Sequence, residues 1–128
     1  MRLRPELQLV PLSTPIGPYA PVVRAGDWLV VSGQLGLADG TLVRGGVAAE
    51  VRQALANMAA LLAPEGAGLD AVVKTTVFLT HMADYGPMNE AYMEAFGHHR
   101  PARAAVAVAG LPLSAKVEID AWAYLPQP

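Results

Sequence analysis

The chain reads as an α+β protein, with one mixed sheet and two helices packed on one face of it. Three observations predict this. Segments with the period of a strand are interrupted twice by segments with the period of a helix. The resulting order is β-β-β-α-β-α-β-β. The last segment, Lys116–Tyr124, alternates without a break: Val117, Ile119, Ala121 and Ala123 point one way, and Lys116, Glu118, Asp120, Trp122 and Tyr124 the other. The apolar set should meet the helices. The other set mixes charges with two large aromatics, and no third helix remains to cover it. A second copy of the chain could.

Leu7 to Val10 has the composition of a short strand. Pro11, Pro15, Gly17, Pro18 and Pro21 then demand an ordered, non-helical loop. Val22–Ala25 and Trp28–Leu35 flank Gly26-Asp27, which is a hairpin signal. Asp39-Gly40 is a second turn, followed by a short strand at Leu42-Val43. Val47, Val51, Leu55, Met58 and Leu62 recur at three and four residues, with Glu50, Arg52, Gln53 and Asn57 off that stripe. This predicts an amphipathic helix from Val47 to about Leu62, ended by Pro64, Gly66 and Gly68. Val72–Thr80 is rich in β-formers, with Val73, Thr75, Val77 and Leu79 on one face and Lys74, Thr76 and Phe78 on the other. A second helix should run from Asp84, its N-cap, to Phe96, with Gly97 as its stop and Met88, Tyr92 and Phe96 as its stripe. Arg103–Ala109 and Lys116–Tyr124 are the closing strands, joined by Gly110-Leu111-Pro112.

At 128 residues the chain is expected to be one domain, 1–128. A chain this size can bury roughly 65–70% of its unfolded surface, so it needs no staple. It has no cysteine, which excludes a disulfide framework, a thiolate nucleophile and a Cys-based zinc site. Net charge is −2, so no global field gathers nucleic acid, and Arg2 and Arg4 are too few to act as a basic tail. No apolar run approaches the ~20 residues of a membrane span, and the N-terminus lacks the apolar core of a signal peptide. A soluble, cytoplasmic protein is the expectation. Charged residues make up only 16%, low against the ~25% usual for soluble domains, while 53% are hydrophobic. So small a charged surface suggests that part of it is covered by self-association.

The stretch carrying the clearest chemistry is His99-Arg100-Pro101-Ala102-Arg103-Ala104-Ala105-Val106-Ala107-Val108. Pro101 stiffens the entrance of a strand, and Arg103 follows among small residues. A guanidinium offers a planar fork that matches a carboxylate at two points. A fixed arginine with room around it is what a small carboxylate ligand needs. His81, His98 and His99 do not make a metal site, because adjacent histidines point apart and no further ligand stands at metal spacing. Ser13, Thr14 and Ser114 have no base partner, so serine-hydrolase chemistry is unsupported.

Several stretches together resemble one family. They are Pro15-Ile16-Gly17-Pro18-Tyr19; Val30-Val31-Ser32-Gly33-Gln34; Val72-Val73-Lys74-Thr75-Thr76-Val77-Phe78-Leu79; Met88-Asn89-Glu90-Ala91-Tyr92; Arg100-Pro101-Ala102-Arg103; and Leu111-Pro112 with Val117-Glu118-Ile119-Asp120-Ala121. In this order and spacing, over residues 13 to 124, the chain resembles the Rid family of reactive intermediate deaminases, the YjgF-type or endoribonuclease L-PSP-like proteins. The resemblance implies a chorismate-mutase-like fold with a six-stranded mixed sheet. It implies a homotrimer around a central barrel, with sites in clefts between subunits. The implied activity is hydrolysis of 2-imino or enamino acids to 2-keto acids and ammonia, with neither cofactor nor metal. By position, Arg103 matches the carboxylate anchor and Glu118 the acid that orients water. Tyr19, Ser32 and Asn89 match cleft residues, and Gly33 and Ala105 match positions whose backbone meets the ligand. Ala105 stands where Cys, Thr or Ser is usual, Ala20-Pro21 replaces a polar residue and glutamine, and Ala107 replaces a common glutamate. These departures bear on substrate range.

The residues also admit plainer readings. Glu118 could pair with Lys116 on the same strand face, Tyr19 could pack in its loop, and Ser32 and Asn89 could satisfy backbone groups. A metabolite-binding or chaperone-like trimer without catalysis would use the same intersubunit cleft.

Overall fold

The computed structural model describes residues 7–9 and 16–128. Val10, Pro11, Pro15, Arg2, Arg4, Ser13 and Thr14, on which expectations were placed above, lie outside the described residues. The strands are β1 Leu7–Leu9, β2 Val22–Ala25, β3 Trp28–Gln34, β4 Leu37–Ala38, β5 Thr41–Leu42, β6 Val72–Leu79, β7 Ala102–Ala107 and β8 Val117–Tyr124. The helices are α1 Gly46–Leu62 and α2 Tyr85–Phe96. Six strands form one sheet in the order β1-β2-β3-β8-β6-β7, while β4 and β5 make a separate small ribbon. Among the described residues only β6 and β7 pair in parallel within the large sheet, because α2 carries the chain from one to the other. The sheet is therefore mixed, as expected, and β7 is an edge strand.

The core lies between one sheet face and the two helices. Val117, Ile119, Ala121 and Ala123 of β8 are fully buried there, against Val51, Leu55, Met58 and Leu62 of α1 and Met88, Tyr92 and Phe96 of α2. The other face carries Trp28 in edge contact with Trp122 and Tyr124, at ring separations of 6.0 and 4.9 Å. Trp122 is 48% exposed and Tyr124 43% exposed, since no element among the described residues covers them.

Three expectations are corrected. Val73 does not point inward. The β6–β8 register slips between Val72 and Lys74, so Val73 is an extra residue that bulges out, and Val72 takes the buried place. Glu50, off the apolar stripe of α1, is nevertheless buried at 2% exposure, because the segment joining β7 to β8 folds over that side of the helix. Asp84 precedes α2 but makes no side-chain cap, since a 3-10 turn at Met82–Asp84 leads directly into the helix.

The link between β7 and β8 contains consecutive left-handed residues, Leu113 with φ 58° and Ser114 with φ 57°. Each such conformation costs an L-residue about 1–2 kcal/mol. It persists only where the surroundings hold it.

Candidate functional site

Residues paired across neighbouring strands share a face of the sheet, and successive residues alternate. Arg103 pairs with Thr75, and Ala105 with Val77, both buried residues of the helix-covered face. Glu118 pairs with Phe78, on the opposite face. Within one chain the two candidate catalytic side chains therefore stand on opposite sides of the sheet. The expected site residues divide into two groups accordingly.

The first group surrounds Arg103 under the N-terminal half of α2. One guanidinium nitrogen donates to Tyr85 Oη at 3.1 Å, and another lies 3.8 Å from Met88 Sδ. The guanidinium carbon sits 4.9 Å from the Tyr92 ring centre and 5.5 Å from that of Tyr85, within cation–π range. Tyr92 is fixed in turn by a 2.7 Å hydrogen bond to buried Thr75. Burial raises the Tyr92 pKa, with the Thr75 bond and the Arg103 and Arg100 charges pulling the other way. The arginine thus lies on a neutral aromatic surface that fixes its fork without consuming its charge. Asn89 shares this helix stripe, four residues after Tyr85 and three before Tyr92. Its Oδ1 is buried and has no hydrogen-bond partner among the described residues.

The second group lines a cleft of about 450 Å³ on the uncovered side, bounded by Ile16, Gly17, Pro18, Tyr19, Ser32, Gly33, Leu35, Pro112 and Glu118. A bulge in β3 builds it. Val31 faces Ala121 and Gln34 faces Ile119, so Ser32 and Gly33 together oppose Asp120 alone. A Cβ placed on Gly33 would lie 2.5 Å from Glu118 Oε2 and 2.7 Å from its Cδ. Any side chain at this position would push the Glu118 carboxylate off the β3 backbone, so glycine lets the carboxylate lie where it does. Ser32 spends its hydroxyl on the loop, donating to the Ala20 carbonyl at 2.6 Å while its N–H donates to Pro21 O at 2.9 Å. That is the plainer role, and it secures the loop that carries Tyr19. The Tyr19 ring packs over Gly17 and remains 43% exposed at the cleft.

Glu118 is not paired with Lys116: among the described residues the ion pairs are Arg24–Glu65 and Arg52–Glu94. Burial, and secondarily the nearby Asp120 carboxylate, raise its pKa above the usual glutamate value. Asp120 itself is committed to the backbone, accepting from Thr76 N at 2.9 Å. An unpaired, half-buried carboxylate with raised proton affinity suits proton exchange with a bound ligand or water. Two polar residues escaped sequence reasoning. Arg24 is buried against Glu65 at 3.1 Å, and Glu50 is buried against the backbone of Lys116. No sequence period marks either, since each partner is far away in the chain. His99 bonds the Val72 carbonyl at 2.6 Å, and no group of three or more His, Asp or Glu among the described residues could hold a metal ion.

An arginine on an aromatic bed and a carboxylate on a glycine bulge stand on the two faces of an α+β fold's mixed sheet. Residues 11–125 match the family model described as Endoribonuclease L-PSP, and the chain belongs to that family, the YjgF or Rid proteins. It is 46% identical over 110 residues to the mouse 2-iminobutanoate/2-iminopropanoate deaminase, covering 84% of this chain and 82% of that one. The structure of RidA from an Antarctic Psychrobacter superposes with a TM-score of 0.85 at 34% identity, covering 95% of this chain and 100% of that one. Escherichia coli TdcF with bound serine superposes at 0.81, also at 34% identity, over 86% and 90% of the two chains.

Proposed function

We propose that this chain hydrolyses small 2-imino or enamino acids to 2-keto acids and ammonia, in clefts formed between copies of a homotrimer. The observation that carries this reading is the division of the site. Arg103, Ala105 and Asn89 lie on one face of the sheet and Glu118, Gly33, Ser32 and Tyr19 on the other. A ligand of four or five carbons cannot span a sheet, so a site using both groups takes them from different copies. The uncovered aromatic face and the free edge of β7 offer the surfaces for that assembly. The relatives named as imine deaminases, and the serine bound in a related structure, agree with a small amino-acid-like ligand.

The chemistry needs little from the protein. Arg103 of one copy holds the substrate carboxylate at two points, which places C2 of the imine against Glu118 of the next. Asn89, whose buried oxygen has no partner among the described residues, lies on the Arg103 side of the sheet and belongs to that half of the proposed site. Glu118 accepts a proton from water as the oxygen–carbon bond forms, giving a carbinolamine. It returns that proton to nitrogen, and as the carbon–nitrogen bond breaks it takes up the hydroxyl proton of the carbinolamine, which leaves the carbonyl of the keto acid; that proton passes to the departing ammonia as ammonium. One imine and one water yield one keto acid and one ammonia. No metal or cofactor takes part in this scheme. Ala105 and Ala107 leave room beside the anchor, so side chains of several sizes fit. The net charge of −2 gives no field for a polyanionic substrate such as RNA. Cytoplasmic action on imines formed there is part of the proposal.

Mixing two inactive variants tests the shared site. Arg103→Ala and Glu118→Gln should each hydrolyse almost no imine supplied in situ by a dehydratase. After co-refolding in equal amounts, about a quarter of the sites receive an intact arginine and an intact glutamate, and keto-acid release returns to that fraction. No recovery would mean that both residues serve one ligand from the same chain, against the reading.

A further inference from the structure

We propose that Glu50 is a positioning residue that sets Glu118 and the Pro112 wall of the cleft from behind. The proposal rests on imine hydrolysis as the function of that cleft. Glu50 lies in the second turn of α1 and is 2% exposed. Packing alone would be served by an apolar side chain, and a buried carboxylate needs a partner to be tolerated. Its partner is a backbone group: Oε1 accepts from Lys116 N at 2.8 Å. Lys116 is two residues before Glu118. The carbonyl of Lys116 is held as well, accepting from Thr80 N at 3.2 Å. The residue that leads into β8 is therefore fastened to α1 on one side and to the end of β6 on the other.

The segment being fastened is under strain. Leu113 and Ser114 are both left-handed, and Pro112 ahead of them lines the cleft with Glu118. Ala115 closes this turn, donating to Pro112 O at 3.1 Å, and is itself buried. The root of Glu50 cannot yield, because a Cβ on Gly36 would stand 2.7 Å from Glu50 Cα, so α1 sits directly on the backbone after β3. Leu35, the neighbour of Gly36, lines the cleft too. One side chain thus braces the Pro112 wall through its carboxylate and abuts the Leu35 wall through its backbone. Without the clamp the strained turn relaxes and the carboxylate shifts on Gly33, while Arg103, on the other sheet face, keeps its bed.

Steady-state imine hydrolysis by Glu50→Gln and Glu50→Leu, with amide hydrogen exchange at Lys116, tests this. Glu50→Gln offers the same N–H an amide oxygen and should keep most of kcat. Glu50→Leu should lose about 10- to 100-fold in kcat with little change in KM, since a displacement near 1 Å is enough for that. The Lys116 amide should be protected in the wild type and in Glu50→Gln and unprotected in Glu50→Leu. A Glu50→Leu protein with a lower melting temperature but unchanged kcat per folded molecule would overturn the proposal. So would a Lys116 amide that exchanges freely in the folded wild type, a result that needs no variant to fold. If the wild type hydrolyses no imine, the function reading fails instead, and exchange at Lys116 alone decides whether the clamp exists.

Discussion

At the scale of single residues, Arg103 was legible and Glu50 was not, for a physical reason. Arg103 announces itself through local chemistry, a charged fork behind a proline and among alanines, and its bed of Tyr85 and Tyr92 is then supplied by α2. Glu50 depends on a partner 66 residues away, which no local pattern contains. Arg103→Lys should remain folded and lose most hydrolysis, because an ammonium cannot make the two-point contact; wild-type turnover by that variant would remove the anchor assignment. Glu118 predicts a pH dependence. Its pKa is raised in the folded chain, so the base form appears only as pH climbs above the ordinary carboxylate range, and kcat/KM should rise along that limb. Glu118→Gln should lose the limb together with about 10²–10⁴-fold of turnover. The stability effect has the opposite slope. The folded chain holds this proton more tightly than the unfolded one, so its contribution is complete below the ordinary glutamate value and is lost as pH rises through the raised one. Thermal melts across that window should show wild type losing stability relative to Glu118→Gln; parallel melting curves would contradict the raised pKa.

At the scale of elements, periodicity located the strands and helices well but misread β6. Alternation put Val73 and Leu79 on the same face of the strand, and the structure buries Leu79 but not Val73. The bulge at Val73 breaks that phase, since one extra residue turns its own side chain out and restores the original face after it. Leu79→Ala should therefore cost about 2–5 kcal/mol of folding stability. Val73→Ala should stay within about 0.5 kcal/mol. Urea denaturation of the two variants separates the readings, and equal losses would put Val73 back in the core. The β3 bulge at Ser32 and Gly33 acts on the same principle at the site, turning backbone toward Glu118 where a regular strand would present a side chain.

At the scale of the whole molecule, the fold leaves two things unfinished: an aromatic sheet face without cover and two half-sites that cannot meet within one chain. The proposed homotrimer would complete both. Light scattering at micromolar concentration should report three copies. Trp122→Glu, which places a charge among Trp28 and Tyr124, should shift the mass toward monomer and abolish hydrolysis together, because in the proposed shared site dissociation would separate Arg103 from the Glu118 of the next copy. A folded, monomeric Trp122→Glu that keeps full activity would refute the shared site.

The sequence by itself determined the fold class, the order of the elements from α1 onward and the buried set of β8, while ahead of α1 it expected three strands where the structure has five. Those follow from local periods, turn residues and short motifs, each written within a few neighbouring positions. Only the tertiary structure decided that Val73 turns out, that Glu50 turns in, and that Arg103 and Glu118 occupy opposite faces of one sheet. Each of these depends on how strands are registered against partners distant in the chain. Register is settled by packing of the whole sheet against its helices, a sum over contacts that no single segment encodes.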